Sequence, residues 1–366
     1  MDIRTERLAR LLVEYSVKVQ PGERVVIRAP STAAPLVRAV YEQVLLQGGY
    51  PFLHLTLPEL EEIFYENADS TQLAFIEPVE KQIIEEFDVM IGIQAPANTR
   101  ALSAVDPKKQ QKRSQARQPL LQRYMERSAN GELKWVGTLF PTHAGAQEAD
   151  MSLRRYEDFV YATCYCDHED PVAEWRRIHE EQQRIIDWLE GREQVKIGGP
   201  NAELTLSIAG RTFVNSDGHH NMPSGEIFTG PVEDSVNGWV RFTYPSIAGG
   251  REVEGIELWF EEGKVVKAKA KKNEPYLLEM LDTDERSRYL GEFAIGTNYQ
   301  IREFTKNILF DEKIGGSFHV AIGAGYPETG SQNRSAVHWD MICDMQDGGE
   351  IWVDGELLYR DGKFVI

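Results

Sequence analysis

The chain has 366 residues, a formal net charge of −18, 42% hydrophobic residues and 27% charged residues. This composition is typical of a globular protein, and the length predicts two domains because single domains usually hold about 100–200 residues. The acidic balance argues against nucleic acid and anionic membranes as partners. The one short basic run, over 108–113, is better explained as a solvated loop or helix face than as a nucleic-acid site.

The N-terminal segment and the cysteines bear on cellular location. The opening sequence MDIRTERLARLLVEY interrupts its apolar residues with charges, whereas a signal peptide needs a continuous apolar stretch. No later run approaches the roughly 18–20 apolar residues of a membrane span. Cys164 and Cys166 lack a second cysteine pair with which to form a structural zinc site, and Cys343 is alone. We therefore expect reduced thiols in a cytoplasmic protein.

The first half of the chain alternates helical and strand patterns. Apolar spacing of i, i+3, i+4 and i+7 predicts an N-terminal amphipathic helix with a buried stripe of Leu8, Leu11, Leu12 and Tyr15. A second helix is predicted over 36–45, before Gly48-Gly49. Short apolar runs predict strands at 24–29, 52–55, 89–93 and 135–140. The order predicts an α/β domain over 1–192 with a mainly parallel sheet, ending in a helical connector that starts near residue 151.

Strand patterns dominate from residue 193. Apolar and polar residues alternate over 204–208, 256–261 and 266–271, a period that is typical of half-buried antiparallel strands. In the last of these runs the alternation assigns Val266 to the apolar face. Asp354-Gly355 and Asp361-Gly362 predict hairpin turns, and one helical insert is predicted over 275–290. We therefore predict a β-rich, α+β domain over 193–366, with a barrel-like or strongly curved sheet.

Six side chains in this second half are candidates for chemistry. His338 and Asp340 in SAVHWDM are separated by two positions, so in a strand both point to one face. Tyr326 follows His319 by seven positions, which in an unbroken strand would place the two on opposite faces; we expect Gly323 and Gly325 to break the strand. The remaining candidates are Glu226 in NMPSGEIFTGP and Glu292 in RYLGEFAIGTN.

Taken singly, each candidate has an ordinary explanation, as a solvated carboxylate, a core histidine or a core tyrosine. Taken together they are unusual, because each lies beside apolar or glycine-rich sequence, where an unpaired charge is costly. Metal coordination relieves that cost. Two imidazoles and three carboxylates suffice for a pair of divalent ions, and such donors suit zinc, cobalt, manganese or magnesium.

The motifs also carry a family resemblance. NMPSGEIFTGP, LGEFAIGTN, LFDEKIGGSFHVAIGAGYPE and SAVHWDM resemble, in the same order, the signatures of the thermophilic metallo-aminopeptidase family of the aminopeptidase T and aminopeptidase S type. The upstream PTHAGAQEADMS resembles the motif of that family's N-terminal domain. The resemblance extends over essentially the whole chain.

The resemblance implies a dimeric peptidase with an α/β N-terminal domain, a β-rich C-terminal domain and two divalent metal ions. Its metal ligands correspond to Glu226, Glu292, His319, His338 and Asp340, and its catalytic tyrosine to Tyr326. The implied activity is removal of N-terminal residues from short peptides. The general base stays open between a metal-bridging carboxylate and an unligated acid such as Glu328.

Two other functions are compatible with the same residues. His319, His338 and Asp340 could supply the two-histidine, one-carboxylate triad of a single-iron ring-cleaving dioxygenase, but both glutamates would then have no role. The chain could also be a non-catalytic protein with a relic metal site. The segment between His319 and His338 looks shorter than in the better-known aminopeptidases, which affects the expected substrate size. His219-His220 is interpreted as a turn or pocket rim rather than as ligands.

Overall fold

The computed structural model describes residues 2–366. A π-helical turn, Leu11–Ser16, continues the first helix, and 3₁₀ turns occupy Ser31–Ala33 and Pro327–Thr329. The α-helices are α1 (Ile3–Arg10), α2 (Ala34–Leu46), α3 (Leu60–Asn67), α4 (Ser70–Ala74), α5 (Pro78–Glu86), α6 (Pro107–Ala129), α7 (His143–Glu148), α8 (Leu153–Thr163), α9 (Pro171–Leu189), α10 (Glu274–Leu281) and α11 (Ile308–Asp311).

The strands of the first half are β1 (Arg24–Pro30), β2 (Tyr50–Thr56), β3 (Val89–Gln94) and β4 (Lys134–Leu139). The remaining strands are β5 (Gln194–Gly199), β6 (Ala202–Ser207), β7 (Val214–Ser216), β8 (Asn221–Met222), β9 (Glu226–Thr229), β10 (Asn237–Arg241), β11 (Ser246–Ala248), β12 (Arg251–Val253), β13 (Glu257–Glu261), β14 (Lys264–Lys269), β15 (Leu290–Gly296), β16 (Ser317–Gly323), β17 (His338–Asp344), β18 (Glu350–Val353), β19 (Glu356–Arg360) and β20 (Lys363–Phe364).

The chain forms two compact units. The first extends to Glu174 and also contains Gly218–Pro223, and the second comprises Trp175–Asp217 and Ser224–Ile366. Most of α9 therefore belongs to the second unit. The division that we predicted from sequence, between residues 192 and 193, stays a prediction.

The first unit contains a parallel five-stranded sheet in the order β2-β1-β3-β4-β8. Its inner strands are rich in buried β-branched residues such as Val25, Ile27 and Ile91. The predicted N-terminal stripe is buried as expected, although its second half is π-helical rather than α-helical. The predicted α/β domain with a mainly parallel sheet is thus confirmed.

The second unit is built on two large antiparallel sheets and a two-stranded one, β11-β12, and the predicted β-rich fold is confirmed. An eight-stranded sheet has the order β14-β13-β10-β6-β5-β18-β19-β20, and a five-stranded sheet has the order β17-β16-β15-β9-β7. Residues of both sheets, among them Ile197, Ile351, Phe293 and Phe318, contribute to one buried apolar core. Within residues 2–366 both sheets are open, so the barrel-like closure that we expected is not formed.

Local features of the second unit test the turn and strand predictions. Asp354, Gly355, Asp361 and Gly362 all have positive φ, as the predicted two-residue hairpin turns require. Val266 was assigned to the apolar face, and this is wrong: Val265 is fully buried while Val266 is 48% exposed. The cause is a β-bulge opposite Trp259 and Phe260 that shifts the alternation by one residue.

The helical insert is shorter than predicted. The helix α10 ends at Leu281, turns follow, and β15 starts at Leu290. In the described part of the chain, none of the helices combines the length and the apolar character that a membrane crossing requires.

Candidate metal centre

Four neighbouring strands of the five-stranded antiparallel sheet carry the predicted ligand side chains. Glu226 starts β9, Glu292 is in β15, His319 is in β16, and His338 and Asp340 are in β17. These strands are consecutive in the sheet, in the order β17-β16-β15-β9. Residues far apart in sequence therefore lie on adjacent strands.

The strand register places these side chains on one face. Glu292 pairs with Ala321, and Ala321 pairs with Asp340. His319 pairs with Ala294, and since His319 and Ala321 are two residues apart in one strand, they share that face. The remaining pairs on this face are Gly296 with Glu226 and Gly323 with His338. We call this the polar face of the sheet.

The alternate residues of the same strands form the opposite face, which we call the core face. Phe293, Phe318, Val320 and Met341 are almost completely buried there. All four belong to the apolar core of the second unit. Core packing thereby fixes the backbone that holds the polar face.

Small residues leave room on the polar face. Ala294, Ala321 and Gly296 occupy the positions between the polar side chains and are buried. At Gly296 even a Cβ atom would lie 2.2 Å from the carbonyl oxygen of Ile314. At Gly296 that space is taken by the backbone at Ile314, whereas the methyl groups of Ala294 and Ala321 leave room for the longer side chains of the face.

A β-bulge at Gly291 aims Glu292 onto the polar face. The pairing with β16 shifts between Leu290 and Glu292, so Gly291 is an extra residue. Without the bulge, Leu290 and Glu292 would lie on the same face of the sheet. With the bulge, Leu290 joins the apolar core and Glu292 faces the two histidines. A Cβ at Gly291 would lie 2.1 Å from the carbonyl oxygen of Ala324, so only glycine fits there.

The side-chain atoms form two ligand groups that share Glu292. In one group, His319 Nε2 lies 3.5 Å from Glu226 Oε2 and 3.4 Å from Glu292 Oε1. In the other, His338 Nε2 lies 3.6 Å from Glu292 Oε2 and 3.6 Å from Asp340 Oδ1. In each group three donor atoms lie within 4.8 Å of one another, the spacing expected around a single ion.

The residues present fit divalent metal. Glu226 Oε2 and His319 Nε2 are buried and make no hydrogen bond within the described part of the protein. Their contacts of 3.4–3.5 Å exceed the normal hydrogen-bond range. Two ligands that each lie about 2.1 Å from an ion at a tetrahedral angle are about 3.4 Å apart, which matches these separations.

A hydrogen bond orients one of the imidazoles. His338 Nδ1 donates to the carbonyl oxygen of Ala324 at 2.8 Å, which leaves Nε2 free to face Glu292 and Asp340. Such a bond is typical of metal-binding histidines because it fixes the tautomer. His319 Nδ1 has no equivalent partner among residues 2–366.

The electrostatics show an excess of negative charge. Burial raises the pKa of Glu226 to about 7, against the lowering effect of Lys313. Burial also raises the pKa of Asp340. Burial by itself lowers the pKa of His319, but Glu292 and Glu226 outweigh that effect and raise it to about 9. Without metal the cluster therefore tends to retain protons, and divalent cations could take their place.

Tyr326 lies beside the cluster. Its ring makes an edge contact with the His338 ring, with the centroids 5.3 Å apart, and also contacts Phe228. The strand β16 ends at Gly323, whose φ is +91°, so the chain turns before Tyr326 as the glycines predicted. Partial burial and the charges of Glu292 and Asp340 raise the pKa of Tyr326, which keeps its hydroxyl protonated at neutral pH.

Sequence reasoning missed two charged residues next to the cluster. The negative charge of Glu312 influences Glu226, His338 and Asp340. Lys313 is fully buried, forms an ion pair with Glu312, and has its Nζ 3.6 Å from Glu226 Oε1. The signal was the acidic-basic pair inside LFDEKIGG, a segment otherwise rich in apolar residues and glycine.

Other residues considered from sequence lie elsewhere. His219 and His220 belong to the first unit, where their rings contact those of Tyr15 and Trp135, so they are not part of either ligand group. Glu328 is exposed in the 3₁₀ turn Pro327–Thr329. The three cysteines are buried, form no disulfide among residues 2–366, and take no part in the ligand groups.

Comparisons with known sequences cover the full chain. The sequence model of one protein family, described as thermophilic metalloprotease (M29), matches residues 1–364. Aminopeptidase 2 of Geobacillus stearothermophilus is 28% identical over an alignment of 398 positions, which covers 98% of this chain and 94% of that protein. Aminopeptidase T of Thermus thermophilus is 27% identical with 98% and 95% coverage, and aminopeptidase AmpS of Bacillus subtilis is 28% identical with 100% coverage of both.

Two solved structures share the fold. Wild-type AmpT from Thermus thermophilus superposes with a TM-score of 0.86 at 23% identity, over 99% of each chain. A 2,5-dihydroxypyridine dioxygenase from Pseudomonas putida superposes with a TM-score of 0.60 at 12% identity, over 99% of this chain and 96% of that one. At these identities the superpositions establish the fold and leave the chemistry to the residues of the site.

Proposed function

We propose that this chain, which belongs to the thermophilic metalloprotease family (M29), is a metal-dependent aminopeptidase that removes N-terminal residues from short peptides. Family membership implies that the protein is a peptide-bond hydrolase that uses metal. The more specific activity is supported by its full-length relatives in Geobacillus, Thermus and Bacillus, which are all aminopeptidases.

The observation that carries this proposal is the pair of ligand groups joined by Glu292. Its two carboxylate oxygens face different imidazoles, Oε1 toward His319 and Oε2 toward His338. Glu292 would therefore serve as a ligand in both groups. We therefore propose two divalent ions, drawn from zinc, cobalt, manganese or magnesium, with the ligands Glu226, Glu292, His319, His338 and Asp340.

Divalent metal in such a site supplies an activated water and polarises the carbonyl oxygen of the scissile bond. The chain supplies the remaining groups. The protonated phenol of Tyr326, next to His338, is placed to donate a hydrogen bond to the oxyanion that develops on that carbonyl.

We propose Glu312 as the general base, which accepts a proton from the attacking water. It belongs to neither ligand group, yet its charge influences Glu226, Tyr326 and Asp340. Its side chain keeps 16% of its surface exposed, so a proton that it accepts can pass to solvent. Glu328, the alternative considered from sequence, is exposed and belongs to neither ligand group among residues 2–366.

The single-iron dioxygenase is less well supported, although one protein with this fold is a dioxygenase. Its triad would combine His319, His338 and Asp340, but the two histidines belong to different ligand groups. Each group includes Glu292, which a single-iron triad leaves without a role. The donor set is therefore richer in carboxylates than that chemistry needs.

The proposal is tested with the purified full chain. Metal-free protein is loaded separately with zinc, cobalt, manganese, magnesium or iron(II) and incubated with a short unblocked peptide and with its N-acetylated counterpart. We expect free N-terminal amino acid from the first peptide only, and close to two ions per chain by mass spectrometry. One bound iron with oxygen consumption would instead support the dioxygenase. Bound metal without release of amino acid from a broad peptide panel would indicate a relic site.

We also propose that the protein is a cytoplasmic homodimer. The edge strand β2 of the parallel sheet exposes the apolar side chains of Phe52, Leu53 and Leu55, which supports association of two copies. The three cysteines are buried and form no disulfide among residues 2–366, which supports a reducing compartment. Light scattering on a sizing column measures the mass, and a monomer at micromolar concentration would contradict the dimer.

A further inference from the structure

Lys313 places a buried positive charge against one of the two ligand groups. Its side chain has no exposed surface. Its ammonium forms an ion pair with Glu312 and lies 3.6 Å from Glu226 Oε1. Glu226 thus uses one oxygen, Oε2, toward His319 and presents the other to a cation that solvent does not screen.

In the described part of the chain, the second ligand group has no lysine or arginine in ion-pair contact, although the charge of Lys313 also acts on Asp340 and that of Glu312 acts on both groups. Among residues 2–366, Glu292 and Asp340 form ion pairs with histidines and with no lysine or arginine. The two groups also differ in access, because His319 is fully buried whereas His338 keeps 30% of its side-chain surface exposed. Two subsites that share Glu292 therefore differ in charge and in exposure.

We propose that Lys313 makes the two metal subsites unequal, by weakening metal binding at Glu226–Glu292–His319 relative to Glu292–His338–Asp340. When metal is scarce, the chain then holds one ion, at the subsite that contains Asp340. This inference rests on the proposed metal centre and deepens it. Lys313 is a positioning residue, since it acts on the ion through Glu226.

The physical reason is repulsion in a buried site. A fixed unit charge several ångströms from a divalent ion, at an effective dielectric constant of about 20, is enough to lower the affinity of that ion by tenfold or more. The ammonium also draws electron density from the Glu226 carboxylate, which weakens it as a ligand. A purely structural role, in which Lys313 only neutralises Glu312, predicts no difference between the subsites.

The test is a titration of the metal-free full chain with Co²⁺ alone. Equilibrium dialysis with mass spectrometry gives the bound cobalt per chain, and the visible absorption of the bound ions gives an independent signal. We expect two binding steps of unequal affinity in the wild type. In Lys313→Met the weaker step tightens about tenfold or more, whereas the stronger step stays within about threefold.

Three further variants locate the effect. Glu226→Gln should remove the weaker step, and Asp340→Asn should remove the stronger one. Arg127→Met, which deletes a buried cation of the first unit that donates to Ile84 and Phe87, should leave both steps unchanged. If Lys313→Met does not fold by circular dichroism, Lys313→Gln replaces it with a neutral side chain that retains polarity.

Each outcome decides the matter. Two equal steps in the wild type, or a weaker step that is unchanged in the folded lysine variant, would overturn the inference while leaving the metal centre intact. Loss of the stronger step in Glu226→Gln would reverse the assignment of the subsites and overturn it as well. Absence of any cobalt binding in both wild type and Lys313→Met would overturn the metal centre itself.

Discussion

The two faces of the five-stranded antiparallel sheet are built from the same strands yet have opposite chemistry. In β16 the sequence Ser317–Gly323 sends Phe318, Val320 and Ile322 to the core face and His319 and Ala321 to the polar face. Every one of these residues is buried. Burial on the core face is favourable by itself, because apolar surface leaves water. Burial on the polar face is costly unless the carboxylates and imidazoles are neutralised.

This difference shows how the site is held. Apolar burial on the core face stabilises the strands, and these strands hold the charged side chains of the polar face in fixed positions. Metal binding offsets the desolvation of the polar face, since cations replace the protons that the cluster otherwise retains. Substitutions on the core face should therefore change stability, and substitutions on the polar face should change metal content and activity.

The largest effect is expected on the polar face, from Glu292→Gln. The amide keeps one neutral oxygen and has an NH2 group in place of the other, so neither ligand group retains a carboxylate at this position and bound metal should fall below one ion per chain. Peptide hydrolysis should fall by roughly 10³-fold or more, because the water is no longer activated. Glu257→Gln, on the eight-stranded sheet, is a matched control that should retain full metal and activity. Two ions per chain in the Glu292 variant would show that this ligand assignment is wrong.

The core face should respond in stability alone. Phe318→Ala empties a fully buried position one residue from His319, and such a truncation costs about 3–5 kcal/mol of unfolding free energy. Urea unfolding followed by tryptophan fluorescence gives that value. Metal per folded chain should stay at the wild-type level. A folded variant that has lost its metal would break the separation between the two faces.

Tyr326→Phe tests the polar face without touching a ligand. Deleting the hydroxyl should lower turnover by about 10²–10³-fold, the cost of losing one oxyanion donor, with metal content unchanged. Tyr244→Phe, a ring stacked on Phe304 outside the cluster, serves as the control. Turnover that matches the wild type would remove Tyr326 from the mechanism.

A smaller, pH-dependent effect is expected at Asp311, a buried carboxyl outside both ligand groups. Burial raises its pKa to about 7, against two hydrogen bonds from Thr305. Because the folded pKa exceeds the unfolded one, this group's contribution to stability is complete below about pH 4 and is lost as the pH rises through 7.

The measurement compares wild type with Asp311→Asn, which retains the accepting oxygen. Between pH 5 and 8 the wild type should lose about 2–3 kcal/mol of unfolding free energy relative to the variant. Urea unfolding at both pH values checks this. Equal pH dependence in the two proteins would show that burial of this carboxyl carries no such cost. That result would weaken the argument that the buried carboxylates of the polar face need neutralisation.

Much of the fold followed from patterns within short segments. The alternation of apolar residues over 204–208 and 256–261 predicted antiparallel strands, and the spacing of Leu8, Leu11 and Tyr15 predicted the N-terminal helix. These predictions succeeded because period and burial are properties of one element. The errors arose where a partner strand intervened. Val266 was misplaced because it is the extra residue of a bulge in β14, which only the pairing with β13 reveals, and the length of the insert before β15 depended on where that strand begins to pair.

The sequence by itself determined which side chains are candidates for the site, because each reactive residue lies beside apolar or glycine-rich neighbours that make a free charge costly. Only the tertiary structure decided how they are grouped. The strand order β17-β16-β15-β9, the bulge at Gly291 and the approach of Lys313 to Glu226 all depend on contacts between residues distant in sequence. Local patterns specify which face a residue takes, whereas register and strand order specify its neighbours.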